Sequence, residues 1–256
     1  MNRRYRKWIS PLLILLVWEL VCRIGWVPTW FLPMPTRVLE ALYKMVLSGE
    51  LLHHTAVSMG RALGGYTMAA AVGIALGVLI AWSGIVEDFF DPLIELIRPL
   101  STFALVPIFF LWFGIGNTSK VMIIFKSCFF PIVLNTIAGI KGVDQKLIMA
   151  ARSLGADGRQ LWLKVLIPSA MPMIITGMRI STAIAMMAMV GVEMLASDSG
   201  LGFLVIDAQR TFDTERLFAG IIALSLIGFT MDRTARRIQT RLLSWHIDTS
   251  LGGAGA

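Results

Sequence analysis

Apolar residues in this chain gather into runs too long for an ordinary soluble core, separated by short polar breaks. A bilayer's hydrocarbon core of about 30 Å needs roughly 20 mostly apolar residues in a helix. On that measure the pattern predicts six membrane-spanning helices, at about 8–22, 62–86, 99–113, 120–140, 171–192 and 217–231. The longest uncharged run, 62–86, carries Gly64, Gly73 and Gly77 along one side. Its Gly73–Gly77 pair is the small-xxx-small spacing that lets two helices approach closely. Between the first two spans, Pro28, Pro33 and Pro35 give an extended entry, and Arg37–Leu47 reads as an interfacial amphipathic helix. The 87–98 stretch reads as a short acidic connection, and Gly114–Ser119 as a turn.

The longest charge-rich amphipathic passage, Asp144–Pro168, lies between the fourth and fifth spans and carries its own punctuation. Asp144 is placed to cap a helix whose apolar members Leu147, Ile148, Ala151 and Leu154 recur at helical spacing. Gly155 supplies a left-handed stop after Leu154. Asp157, with Gln160 three residues on, opens a second helix in a capping-box pattern. Pro168 restarts the chain in a new direction. The passage is thus predicted to be a two-helix knuckle at the ends of membrane spans.

Composition supports the membrane reading: of 256 residues, 56% are hydrophobic and only 15% charged, with a mean hydropathy of +0.74. The net charge of +7 does not point to nucleic acid, because the basic residues cluster at span ends. More than half of the 23 Lys and Arg fall in the N-terminal tail, the 83–98 loop, the knuckle and the C-terminal tail. The positive-inside rule then puts those segments and both termini in the cytoplasm. The predicted organisation is a basic tail at 1–7, a transmembrane domain at 8–243 and a cytoplasmic tail at 244–256 ending in a disordered GGAGA. The first apolar run contains Glu19 and lacks a small-residue cleavage site, so it reads as an uncleaved span. Cys22 and Cys128 lie in separate apolar stretches, which argues against a structural disulfide.

Catalytic chemistry is not visible. There is no Gly-Lys dipeptide and hence no phosphate-binding Walker A loop, and Gly114–Lys120 lacks a preceding strand. His53 and His54 are adjacent rather than one helical turn apart, a poor metal pair. They and His246 read as interfacial polarity. No metal site and no cofactor is expected, and the chain reads as no enzyme.

Polar residues inside the membrane are costly, and they mark a partner or a path. The candidates for a solute path are Lys126, Asn135, Arg179, Glu193 and Ser197, a set whose cations and amides suit an anion. For Lys126 and Arg179 the alternative is structural pairing. The many Met residues of 171–194 suit either a deformable gate or plain packing.

Met149-Ala150-Ala151-Arg152-Ser153-Leu154-Gly155-Ala156, with Ile167-Pro168 downstream, resembles the cytoplasmic "EAA" loop of binding-protein-dependent ABC importer permeases. The family's leading Glu is Met149 here. The segments LVPIFFLWFGIGNTSKV and FFPIVLNTIAGIKGVD and the run 192–202 carry a closer likeness to the nitrate/sulfonate/taurine/bicarbonate branch. The resemblance implies an all-α, type I importer fold in which the knuckle is a coupling helix seated in an ATPase subunit. Met149, Ala150, Ala151, Leu154, Gly155, Ala156 and Pro168 are its coupling residues. It further implies a homodimer in the bacterial inner membrane, ATP and Mg in the partner ATPase, and an outer solute-binding protein. Arg37, Arg210 and Arg216 are available to meet acids on that binding protein. The Ser197–Gly202 loop would lie near the outer gate. The expected cargo is a small oxyanion, such as nitrate, bicarbonate, a sulfonate or taurine. The alternatives are an ATP-independent secondary transporter or channel, against which stands the lack of an inverted repeat, and a membrane scaffold anchoring a soluble enzyme.

Overall fold

The computed structural model describes residues 3–242, with side chains from 13 to 241. The predicted tail at 244–256 lies outside the described residues, as do His246 and the first two residues of the basic tail. Regular structure among the described residues is helical throughout: α1 (Arg3–Ile24), α2 (Pro35–Leu47), α3 (Glu50–Trp82), α4 (Gly84–Ile97), α5 (Val106–Phe113), α6 (Asn117–Lys141), α7 (Gln145–Ser153), α8 (Gly158–Leu161), α9 (Ile167–Ala196), α10 (Leu201–Arg210) and α11 (Thr214–Leu242). Among the described residues, four helical stretches are long and apolar enough to cross a membrane: Glu50–Trp82, Asn117–Lys141, Gly158–Ala196 and Thr214–Arg241. The chain divides into two compact units, residues 1–59 with 193–227, and residues 60–192 with 228–256.

In the second unit, glycines set the helix pairing. A Cβ on Gly65 would stand 2.7 Å from Ile124, one on Gly73 3.1 Å from Ile132, and one on Gly77 2.7 Å from Thr136. Each contact repeats at the same separation along the chain, so α3 and α6 run parallel with their backbones in close approach. Gly64, by contrast, is loose, with Val121 no nearer than 3.8 Å. The α9 helix runs antiparallel to α6, meeting it at Gly139 with Ala170 and Met173, at Asn135 with Gly177, and at Cys128 with Ser181. The apolar interior here is built on Ile124, Cys128, Ile132, Ala185 and Met189.

Two parallel helices require a return crossing between them, and it does not lie where the sequence pattern put it. Apolar helix in the predicted 99–113 span amounts to a single 3₁₀ turn, Phe103–Leu105, and the eight residues of α5. The acidic 87–98 stretch, expected as a loop, is helix α4. Down α6, Lys141 pairs with Glu87, Val133 packs with Ile94, Lys126 bonds to Leu100, and Ile123 packs with Val106. Residues 87–106 therefore track α6 backwards for some 27 Å at a helical rise of about 1.5 Å per residue. That distance is close to a bilayer's thickness. The third crossing is a broken helix, α4 and α5 interrupted at 98–105. The acids Asp88, Asp91 and Glu95 lie on its exposed side, and Glu87 is paired with Lys141, which is why a purely hydrophobic window misses it.

Pro168 also departs from expectation. The chain does not turn there; one helical stretch runs from Gly158 to Ala196. A wider π-helical turn at Trp162–Leu166 precedes α9 and accommodates a proline that has no N–H and crowds the carbonyl one turn back.

In the first unit, α2 buries Val38 and Met45 against Leu204 and Ala219, as its amphipathic pattern predicted. Helix α1 begins at Arg3, so most of the basic 1–7 segment is helical. Glu19 accepts hydrogen bonds from the Thr36 backbone N–H and hydroxyl, tying α1 to the start of α2.

Candidate functional site

The knuckle follows its local signals. The Asp144 carboxylate accepts from the Lys146 N–H at 2.9 Å, and that of Asp157 from the Gln160 N–H at 2.6 Å. Gly155 is left-handed, with φ of +82° and nothing within 4 Å of a Cβ placed there, so the constraint on it is conformational and not steric. Ile148 and Ala151 turn inward onto Val143, Leu161 and Leu166. Trp162 stacks on Trp82 at the end of α3, 5.3 Å between ring centroids. Other apolar residues face out: Met149 is 59% exposed and Leu154 89% exposed. Ala150 and Pro168 are exposed too, while Ala156 is half-buried.

Each of the five candidate path residues has its own partners within its unit. Lys126 donates to the Leu100 carbonyl and to Thr102 Oγ1 at 3.4 Å, with the Phe130 ring centroid 5.8 Å away. Asn135 turns back to the Pro131 carbonyl at 2.8 Å, and its Cβ packs against Gly177. Arg179 reaches Gln239 at 3.3 Å and Asp232 at 4.0 Å, beside a cavity of about 380 Å³ that also meets Tyr66 and Ile175. Ser197 Oγ donates to the Ser199 carbonyl at 2.6 Å.

Glu193 belongs to a buried cluster of the first unit. It has no exposed surface. Ser58 Oγ lies 2.9 and 2.8 Å from its two carboxyl oxygens, and the Gly202 N–H donates to it at 3.0 Å. Ser58 in turn accepts from the Leu201 N–H at 2.8 Å. Two side chains remote in sequence thus satisfy the otherwise unpaired N–H groups at the start of α10. His54 Nδ1 accepts from the Gly200 N–H at 3.0 Å, so the histidine read as interfacial polarity is a buried part of this cluster. Gly200 has φ of +114°, and a Cβ there would run into the Glu193 carboxyl group.

Sequence reading missed the roles of Ser58 and His54, whose partners lie 135 to 146 residues away. It also missed Arg61, buried and bonded to Asn117 at 2.8 Å. Arg216 is not free to meet a partner protein, because its guanidinium is engaged by Glu50 and Asp207. Arg37 is exposed, as is Arg210.

Comparison with known proteins settles the family. Residues 73–244 match the family described as binding-protein-dependent transport system inner membrane component. The chain belongs to that family. Among similar proteins, the putative aliphatic sulfonates transport permease SsuC of Bacillus subtilis is 36% identical over 93% of this chain and 86% of its own length. The taurine transport permease TauC of Escherichia coli K12 is 36% identical over 96% and 92%. The fold is similar to a chain of the inward-facing MetNI methionine ABC transporter, with TM-score 0.64 and 15% identity, covering 73% of this chain and 93% of that one. The chain is therefore a multi-span inner-membrane permease subunit of an ABC importer, which works with an ATPase and a binding protein. It is not itself the ATPase and holds no cofactor; ATP is bound by the partner. The ATP-independent transporter and scaffold readings end here.

Proposed function

We propose that this permease imports sulfonates of the taurine or short aliphatic type, as a pair of identical copies each docked on one ATPase subunit through the Asp144–Pro168 knuckle. The observation that carries the coupling role is the knuckle's outward apolar face. Met149 and Leu154 stand exposed on a short helix whose other side is anchored by Ile148 and Ala151. Two exposed apolar side chains on a rigidly held loop suit a cleft in a soluble partner. Movement imposed there passes into α6 through Lys141 and Val143, and directly along the continuous stretch that begins at Gly158. The sulfonate assignment is supported by the names of the relatives above. The knuckle side is the cytoplasmic face, in keeping with its basic residues. Both termini share that face. Ser197 and the Glu193 cluster then belong to the outer end, where the binding protein delivers solute.

Two measurements test this. Affinity purification of the tagged chain from gently solubilised membranes should bring down one Walker A ATPase subunit per permease copy, with two permease copies per complex. Proteoliposomes holding that complex and its binding protein should take up radiolabelled taurine only with ATP inside the compartment that holds the ATPase. A complex without an ATPase would overturn the docking role. Loaded vesicles that import neither taurine nor an alkanesulfonate would overturn the substrate.

A further inference from the structure

The interruption between α4 and α5 opens a cleft of about 320 Å³ against α6, lined by Arg98, Thr102, Lys126, Ser127, Phe130 and Leu134, among others. That volume is at the small end of the range for sites that hold small molecules. Its depth follows from α6, which runs from Asn117 to Lys141. Lys126 and Leu134 each lie at least about 10 Å from the nearer helix end at a rise of about 1.5 Å per residue. The cleft therefore lies well inside the span, away from both ends of α6.

Two cations at that depth require an explanation, since an intramembrane charge without a partner is costly. Among the described residues no carboxylate forms an ion pair with either one. Glu95, three residues before Arg98 and on α4, does not. Lys126 commits two of its three donors to Leu100 and Thr102. Arg98 is exposed, and no described residue accepts a hydrogen bond from its guanidinium. Ser127 Oγ lies 3.1 Å from Thr102 Oγ1 and 2.9 Å from the Ile123 carbonyl, so its one proton is engaged and it positions Thr102, whose own hydroxyl proton is left to donate beside the two cations. The cleft thus offers a planar fork of N–H donors, an ammonium with a donor to spare and the Thr102 hydroxyl, around a space whose lining holds no acid. This set matches an oxyanion whose several oxygens accept at once.

We infer that the break between α4 and α5 is a transient binding site for the sulfonate head of the solute, built from Arg98, Lys126, Thr102 and Ser127. This rests on the sulfonate reading above. A helix break well inside the span lets loop backbone and a hydroxyl replace lost water at a depth where the barrier to an anion is high. Leu100 and Thr102, which hold Lys126, belong to the break itself. The site's cation is therefore positioned by the same feature that opens the cleft.

The test uses the whole importer with its ATPase and binding protein in proteoliposomes, with radiolabelled taurine as the probe. Losing one charge-assisted contact worth about 1.5–3 kcal/mol corresponds to a fall of roughly ten- to a hundredfold in uptake. Arg98→Gln and Lys126→Gln should each show such a fall while the ATPase co-purifies as before. Arg98→Lys and Lys126→Arg should recover a substantial part of the lost rate. Wild-type vesicles that import taurine, with both Gln variants equally fast, would overturn this site and leave the sulfonate reading standing. Gln and conservative variants that lose uptake alike, together with the ATPase, would mark both residues as structural and overturn it too. Wild-type vesicles that import no sulfonate would overturn the substrate reading first and this site with it.

Discussion

Ser58 Oγ lies 2.8 Å from a carboxyl oxygen of Glu193, and neither residue has any exposed surface. The serine is a relay: it donates to the carboxyl group and accepts from the Leu201 N–H. Ser58→Ala would strip Glu193 of one donor and leave that N–H unsatisfied in a buried place. Each loss costs about 1–3 kcal/mol. The purified permease should melt several degrees lower in detergent, and Gly200→Ala should be at least as damaging because its Cβ meets the same carboxyl group. Unchanged melting in Ser58→Ala would show that water replaces the hydroxyl without cost.

Two neighbouring glycines should behave oppositely. In Gly65→Ala the new Cβ lies 2.7 Å from Ile124 and 2.8 Å from the Val121 carbonyl. Backbone cannot step aside as a flexible side chain can, so overpacking of about 1–3 kcal/mol is expected. Gly64→Ala meets only ordinary contacts at 3.8 Å and replaces a weak helix former by a good one. Thermal unfolding of the pair should show a lower midpoint for the first and an equal or higher one for the second.

Gly155→Val forces a β-branched residue into φ of +82°, a strain of about 1–3 kcal/mol. It should deform the knuckle, so that membrane insertion stays normal while ATPase co-purification falls. Gly155→Asn, which tolerates that backbone region, should retain it. Leu154→Asp leaves the backbone unstrained and changes only the exposed face, yet it should weaken ATPase recovery as well. Full recovery of the ATPase by both Gly155→Val and Leu154→Asp would remove the knuckle from the docking surface.

The knuckle was legible because its determinants are local. Asp144 and Asp157 bond to N–H groups two and three residues away, and Gly155 acts through its own φ. The broken crossing was misread for the opposite reason. Asp88, Asp91 and Glu95 lie on the exposed side of α4 and Glu87 pairs with Lys141, while Ile94 packs on Ile80 and Val133, so a window that averages around the helix sees a polar loop. Pro168 misled because its usual role as a breaker is offset by the π-helical turn before it, which no single-residue rule anticipates. Lys126 stands out in the sequence as a cation within an apolar run, whereas Arg98 falls in the stretch that reads as that same loop. The Ser58–Glu193 pair is separated by 135 residues, and only the folded chain brings it together.

The glycine contacts of α3 also limit how an importer of this design can move. Gly65, Gly73 and Gly77 fix α3 against α6 in a single register, and a slide of one residue would drive full-sized side chains into backbone at three places together. The two helices are in effect one double-barrelled strut, unable to shear. Any rocking between inward-open and outward-open forms has to be taken up elsewhere in this unit, and the hinge it offers is the non-helical gap after Ile97.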